Sequence, residues 1–263
     1  MANEGVPDTL YIPLAARIYS TQMFPEYFSD SVSLRLKREI PRSITEGSSE
    51  YSMLASVARY YNTDSMTREF VERNGRSSIV HLGAGLDTAY CRLLDLPVHF
   101  YDMDLPEVIE LRRDLLPDSD NETMISGDLF DMGWADRIPG DRPVMILVLG
   151  VFQYFHEEDV VDVIKRMRRR FPGAELVFDA TNTRGLGYTN RYVKKTGNDS
   201  AAMYFAVDDA TAFADRCGTE LLECRPFFTD ARRILRDKLE MSTRISMWFA
   251  DRNGMVKLLH LKL

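Results

Sequence analysis

The sequence has few cysteines, no long apolar run and no excess of positive charge, and each shortage removes a class of protein. Its three cysteines, Cys91, Cys217 and Cys224, are odd in number and form no C-x-x-C pair. That argues against a secreted disulfide framework and against a thiolate metal site, so they read as reduced thiols. The longest apolar run, Val144 to Phe152, has nine residues and contains Gly150, whereas a membrane helix needs about 20. Lys and Arg number 33 against 40 Asp and Glu, a net charge of −7, which opposes binding to nucleic acid or to an anionic membrane. Met1 to Asp8 lack the basic and then apolar stretches of a secretory signal, and the expected location is cytoplasmic. Internal repeats and Gly/Ser/Pro-rich linkers are also missing from the 263 residues, so one continuous domain is expected.

What is present is an alternation of strands and helices from Arg76 onward. Strands are expected at Ser78 to Leu82, Val98 to Met103, Met124 to Ile125, Val144 to Leu149 and Ala174 to Phe178. Pro106 suits the first turn of a helix through Leu116. A second helix, Glu157 to Arg170, opens on Glu157, Glu158 and Asp159 and closes on Arg168, Arg169 and Arg170, the charge order that complements a helix macrodipole. The arginine run is therefore read as a helix end rather than a phosphate site. This order gives an α/β fold with a doubly wound, mostly parallel sheet. Near the end of the chain, Ile245 to Ala250 and Met255 to Leu263 flank Asp251-Arg252-Asn253-Gly254, which predicts an antiparallel C-terminal hairpin. The parts expected are a helical N-terminal cap (1–75) with a helix from about Ser49 to Tyr61, a cofactor-binding core (76–180), a substrate-side insertion (181–243) and the hairpin (244–263). Cap and insertion are candidates to cover the carboxyl ends of the strands, where open α/β sheets bind ligands.

Three consecutive strand ends carry candidate ligand contacts. Gly83 and Gly85 sit in Leu82-Gly83-Ala84-Gly85-Leu86-Asp87-Thr88, where the first strand turns toward a helix. Glycine there lets the backbone approach a ligand closely. Thr88 holds the place of the third glycine of a dinucleotide fingerprint, which weakens a pyrophosphate reading. Asp104 lies 21 residues after Gly83, where a carboxylate can accept both hydroxyls of a ribose. Asp128 ends the third strand and can accept from an adenine amino group, with Leu129 against the ring. Each Asp alone reads first as a solvated carboxylate or a helix cap; the three strand ends in order favour an adenosine site.

Taken with Ala58-Arg59 and Asp64, Asp104-Leu105-Pro106-Glu107-Val108-Ile109, Gly127-Asp128-Leu129-Phe130-Asp131 and Gly150-Val151-Phe152-Gln153-Tyr154-Phe155, this set resembles the leucine carboxyl methyltransferase family over roughly residues 10 to 180. That family belongs to the class I S-adenosylmethionine-dependent enzymes and includes O-methyltransferases of polyketide biosynthesis. A parallel sheet closed by an antiparallel hairpin fits it better than it fits dinucleotide dehydrogenases. The resemblance implies S-adenosylmethionine as cofactor, with Arg59 on its methionine carboxylate, Gly83 and Gly85 in the cofactor loop, Asp104 on the ribose, and Asp128 with Leu129 on the adenine. Two positions depart from the family pattern. Leu149 stands where Glu is common before Gly-Val, which removes a polar contact, and Tyr60-Tyr61 follow Ala-Arg where Thr-Arg is common.

The function expected is O-methylation, first of a carboxylate on a small molecule or peptide, with a hydroxyl acceptor as the alternative. A cofactor-binding protein without turnover and an NAD(P)-dependent oxidoreductase are the other readings. A carboxylate is ionised at neutral pH and needs no base, whereas a phenol near pKa ~10 gains from one. Among the histidines, His81, His99 and His260 fall in expected strands and read as structural, while His156 sits at a helix start. Gln153 and Tyr154 are the candidates to line the transfer site, and Arg17, Tyr27, Tyr192, Lys194 and Lys195 the candidates to hold an anionic acceptor. Asp179 and Asn182 lack the adjacent Asp-Asn pair of metal-dependent catechol methyltransferases, and no metal is expected.

Overall fold

The computed structural model describes residues 10–41, 44, 48–195 and 202–263, without the side chains of 192–195. Seven strands, β1 (Ser77–Leu82), β2 (Val98–Asp104), β3 (Glu122–Ser126), β4 (Val144–Val148), β5 (Glu175–Thr181), β6 (Glu220–Pro226) and β7 (Val256–Lys262), form one sheet in the order β3-β2-β1-β4-β5-β7-β6. The pairings from β3 through β5 are parallel, and β7 runs antiparallel to both β5 and β6. The helices are α1 (Tyr11–Met23), α2 (Ser31–Arg35), α3 (Glu50–Asn74), α4 (Ala89–Arg92), α5 (Pro106–Leu115), α6 (Glu157–Arg170), α7 (Thr183–Lys195), α8 (Ala210–Cys217), α9 (Thr229–Ile234) and α10 (Met241–Arg252). None is long and apolar enough to cross a membrane.

Strand alternation divides the apolar side chains between two faces. Ile79, Phe100, Met145 and Val177 pack on one face with Val57 of α3 and Met247 of α10. Val80, Tyr101, Ile146 and Phe178 pack on the other with Val163 of α6 and Phe213 of α8. Both faces are covered, which is why β4 reads as a continuous apolar run and β1, though it carries Ser77, Ser78 and His81, is buried at every position. Ser49 starts α3 by accepting the Ser52 N–H at 3.1 Å, and Gly75, at φ +70°, ends it thirteen residues past the expected Tyr61. Leu14 and Ile18 of α1, Val32 of α2, Leu86 after β1 and Leu111 of α5 form a third cluster. It seats the N-terminal cap on the glycine turn.

The expected C-terminal hairpin is not formed. Residues 245–250 belong to α10, and β7 pairs with β5 and β6. The buried positions of α10 are Thr243, Met247 and Ala250, spaced four and three apart, which is a helical rather than a strand period. Gly254 does take positive φ, +56°, but it follows the helix end instead of closing a two-residue turn. The strand that does pair with β7, β6, lies within the stretch read as an insertion.

Candidate active site

The glycine turn is fixed on both sides. Gly83 has φ +74°, and the N–H groups of Gly83 and Ala84 both donate to the Met103 carbonyl, at 2.9 and 3.1 Å. A Cβ at Gly83 would stand 2.3 Å from Val151 Cγ2, so the turn and the segment after β4 meet there without room for a side chain. Gly85 donates its N–H to Asp104 Oδ2 at 2.7 Å, and Asp104 Oδ1 accepts from Leu105 N at 2.8 Å. Burial raises the Asp104 carboxyl above its ordinary pKa, against the opposing effect of those two N–H groups. The Asp104 carbonyl accepts from Gly127 N at 3.0 Å, which sets Asp128 beside it at the neighbouring strand end. Asp128 is exposed, its Oδ1 accepting from Phe130 N at 2.7 Å, and Leu129 is buried beside Trp134.

Behind the turn, arginines hold the loop carbonyls. Arg112 donates to Gly85 O at 2.8 Å and to Asp87 O at 3.0 Å, and Arg17 donates to Leu86 O at 2.5 Å. These donors fix the carbonyls of the turn. Arg112 is itself paired with Asp102 and Glu122, and Arg92 with Asp64 and Asp87. Burial alone would raise Asp87, but Arg92 and Arg17 hold it well below the usual carboxylate range.

Arg59 enters from α3. Its Nη2 donates to Asp179 Oδ2 at 2.8 Å, while Asp179 Oδ1 accepts from Gly150 N at 2.6 Å. Gly150 has φ +70°, and a Cβ there would lie 3.0 Å from Arg59 Nη1. The Arg59 Nε is buried without a partner, the kind of donor that a bound anion satisfies. Burial works against the Arg59 charge, but Asp179 overcomes it and raises the pKa, with Tyr154 among the lesser contributors. Arg59, Gly150-Val151, Gly83-Gly85, Asp104 and Asp128 thus form a contiguous row along the carboxyl ends of β4, β1, β2 and β3.

The remaining expected site residues divide. Tyr154 lies within electrostatic reach of Arg59, and the Gln153 carbonyl accepts from Tyr204 N at 2.8 Å. Arg17, expected on the acceptor, is 1% exposed and ion-paired with Asp30 at 3.0 Å, so it serves the glycine turn from inside. Replacing Arg17 by Gln is expected to cost about 3–5 kcal/mol, as for a broken buried pair; an unchanged urea midpoint would return Arg17 to the acceptor-binding reading. Tyr27, also expected on the acceptor, is buried and stacked on Tyr61 at 4.5 Å, with burial pushing its pKa well up. Tyr192, Lys194 and Lys195 fall on α7, but their side chains lie outside the described residues. Leu149 is buried in the core, and Tyr60 packs under the Arg17 guanidinium at 4.8 Å, so both departures from the family pattern are filled by packing. Sequence reasoning missed Arg112, which sits in an ordinary helix pattern, and gave Asp179 only a metal-related reading.

The close approach at Gly83 sets a further expectation. Alanine at Gly83 costs about 1–2 kcal/mol for its left-handed backbone and must displace Val151. The double variant Gly83→Ala/Val151→Ala, which leaves Val151 Cβ at 3.5 Å, is expected to relieve the clash but not the backbone cost. Thermal melts of the single and double variants measure both parts.

Residues 13–168 match the leucine carboxyl methyltransferase family. The chain belongs to that family. It is accordingly an S-adenosylmethionine-dependent O-methyltransferase, with S-adenosylmethionine as cofactor, and the oxidoreductase reading falls. It is 29% identical over 193 residues to the tetracenomycin polyketide synthesis O-methyltransferase TcmP of Streptomyces glaucescens, covering 72% of this chain and 70% of that one. It is 28% identical over 199 residues to the S-adenosyl-L-methionine-dependent methyltransferase dpfgK of Gibberella zeae, covering 67% and 66%. Among solved structures, a DUF574 family protein from Streptomyces avermitilis superposes with TM-score 0.57 at 15% identity, over 94% of this chain and 96% of that one. Magnesium protoporphyrin IX methyltransferase of Synechocystis, solved with S-adenosylhomocysteine, gives TM-score 0.52 at 15% identity, over 90% and 96%. These two likenesses concern the fold.

Proposed function

We propose that this methyltransferase esterifies a carboxylate on a small molecule or peptide. The observation that carries this reading is the state of Asp179, the carboxylate at the open end of β5. Both its oxygens are occupied, by Arg59 and by Gly150 N, so it is not a free base at the candidate transfer site. Among the described residues near Tyr154, His156 packs its ring on Tyr204 at 4.7 Å. An acceptor that arrives already ionised needs no proton removed.

Arg59 would hold the methionine carboxylate of the cofactor through its free Nε edge, with Asp179 fixing the guanidinium plane. Asp104 would accept from the ribose hydroxyls and Asp128 from the adenine amino group, with Leu129 against the ring. Gly83 and Gly85 would admit the cofactor close to the backbone. When bound, S-adenosylmethionine supplies an electrophilic methyl group on a sulfonium, transferred in line to the acceptor oxygen. Gln153 and Tyr154 would line the acceptor's approach, and their contribution is orientation and exclusion of water.

A hydroxyl acceptor is the second reading, favoured by the likeness to a polyketide synthesis O-methyltransferase. A panel pairing each carboxylic acid with its corresponding alcohol or phenol separates the two. Methyl esters that release methanol in alkali are expected, with kcat/KM level from pH 6 to 8. Alkali-stable ethers, formed faster as pH approaches the phenol value of ~10, would overturn the carboxylate reading.

A further inference from the structure

A second feature of the surface shares no lining residue with the cofactor row. Between α9 and α10 lies an open cleft of about 360 Å³ lined by Arg232, Arg236, Met241, Arg244, Ile245 and Trp248. Its composition is unusual for this chain, whose net charge is −7. Arg236 and Arg244 form no ion pair among the described residues, and Arg232 reaches Asp251 only at 3.6 Å. The floor is apolar and open to water: Met241 is 65% exposed, Ile245 59% and Trp248 44%. The inner positions of α10, Thr243, Met247 and Ala250, are buried, so the helix carries a second apolar face that the described residues leave exposed. Arg252 lies over the Trp248 ring at 5.3 Å, which keeps that indole beside the cleft.

We infer that this cleft is a binding site for an aromatic carboxylate, separate from the cofactor row. Guanidinium groups pair with planar carboxylates in a bidentate manner, and they also stack on aromatic rings. A Trp face and two aliphatic side chains take the apolar body of the same ligand. Neither feature by itself selects a ligand; together they ask for a flat apolar frame bearing an acid. Concavity and free guanidiniums favour a small ligand over a second copy of this chain, which would bring a broad surface to the same place.

The test uses the full chain and 2-naphthoate, with 2-naphthylmethanol as the neutral counterpart. The chain has two tryptophans, of which Trp134 is buried, and Trp248→Phe identifies the Trp248 indole N–H signal in a ¹H–¹⁵N spectrum. A saturable shift of that signal with 2-naphthoate is expected, at least about tenfold weaker for the alcohol and for Arg236→Gln/Arg244→Gln. Methyl transfer by the double variant is expected to match the parent, which also shows that it folds. Absence of a Trp248 shift, equal binding of acid and alcohol, or binding unaltered in the double variant would overturn the assignment. So would sedimentation showing a dimer that the double substitution abolishes, because the cleft would then be the seat of a second copy.

Discussion

Replacing Asp104 by Ala is expected to weaken S-adenosylmethionine binding by at least about a hundredfold, on the basis of two hydrogen bonds to a charged acceptor at roughly 1.5–3 kcal/mol each. The carboxylate stands where the ends of β1, β2 and β3 meet, and it already holds the Gly85 N–H at 2.7 Å. The substitution therefore removes a ligand contact and also loosens the turn that the ligand approaches. The loss of the Gly85 and Leu105 contacts costs stability on the order of 1–3 kcal/mol, which the packed sheet tolerates, so a cooperative thermal transition should remain. Calorimetric titration with S-adenosylmethionine measures the effect, and unchanged affinity would remove the ribose assignment. The parent protein carries a related pH dependence. Because burial raises the Asp104 pKa, protonation begins above the ordinary carboxylate value, and cofactor affinity should fall as pH decreases through that raised value.

Arg59→Met should cause a loss of similar size, about a hundredfold, but restricted to ligands with an amino-acid carboxylate. The side chain bridges α3 to Asp179 on β5, and its unpartnered Nε points to an anion. 5′-Methylthioadenosine keeps the adenosine and lacks the amino acid, so its affinity should change by no more than about threefold if Arg59 acts where proposed. An equal loss for both ligands would show that the substitution had disturbed the whole end of the sheet, and Arg59 would then be a structural residue. Lysine is not expected to restore binding, since a point charge cannot pair with Asp179 and a ligand carboxylate in one plane. Asp179→Asn is expected to fall between parent and Arg59→Met. It keeps an acceptor for Gly150 N but gives up the charge that orients the guanidinium.

β4 was legible because it is buried on both faces, and such a strand announces itself as an apolar run ending at Gly; β3, at the sheet edge and only half-buried, was legible from the Gly127-Asp128 that follows it. The α6 boundaries, Glu157 and Arg170, were legible from charge order alone. The C-terminal segment was misread because Ile245 to Ala250 is short and apolar, and a run of that length does not show its period until its neighbours are known. Arg17 was misread for a different reason. Its sequence context resembles that of an exposed basic residue, and only the carbonyl of Leu86 and the carboxylate of Asp30, far along the chain or across a turn, make it a buried support.

The sequence by itself determined the sheet's parallel half, the glycine turn and the acids at consecutive strand ends, because these follow from local periodicity, backbone freedom at glycine and residue type. Only the tertiary structure decided that Arg59 shares Asp179 with Gly150, that Arg112 and Arg17 hold the turn from behind, and that α10 shows an apolar, arginine-lined face to water. Those facts depend on contacts between residues distant in sequence, where burial and charge are fixed by whatever the rest of the fold brings alongside.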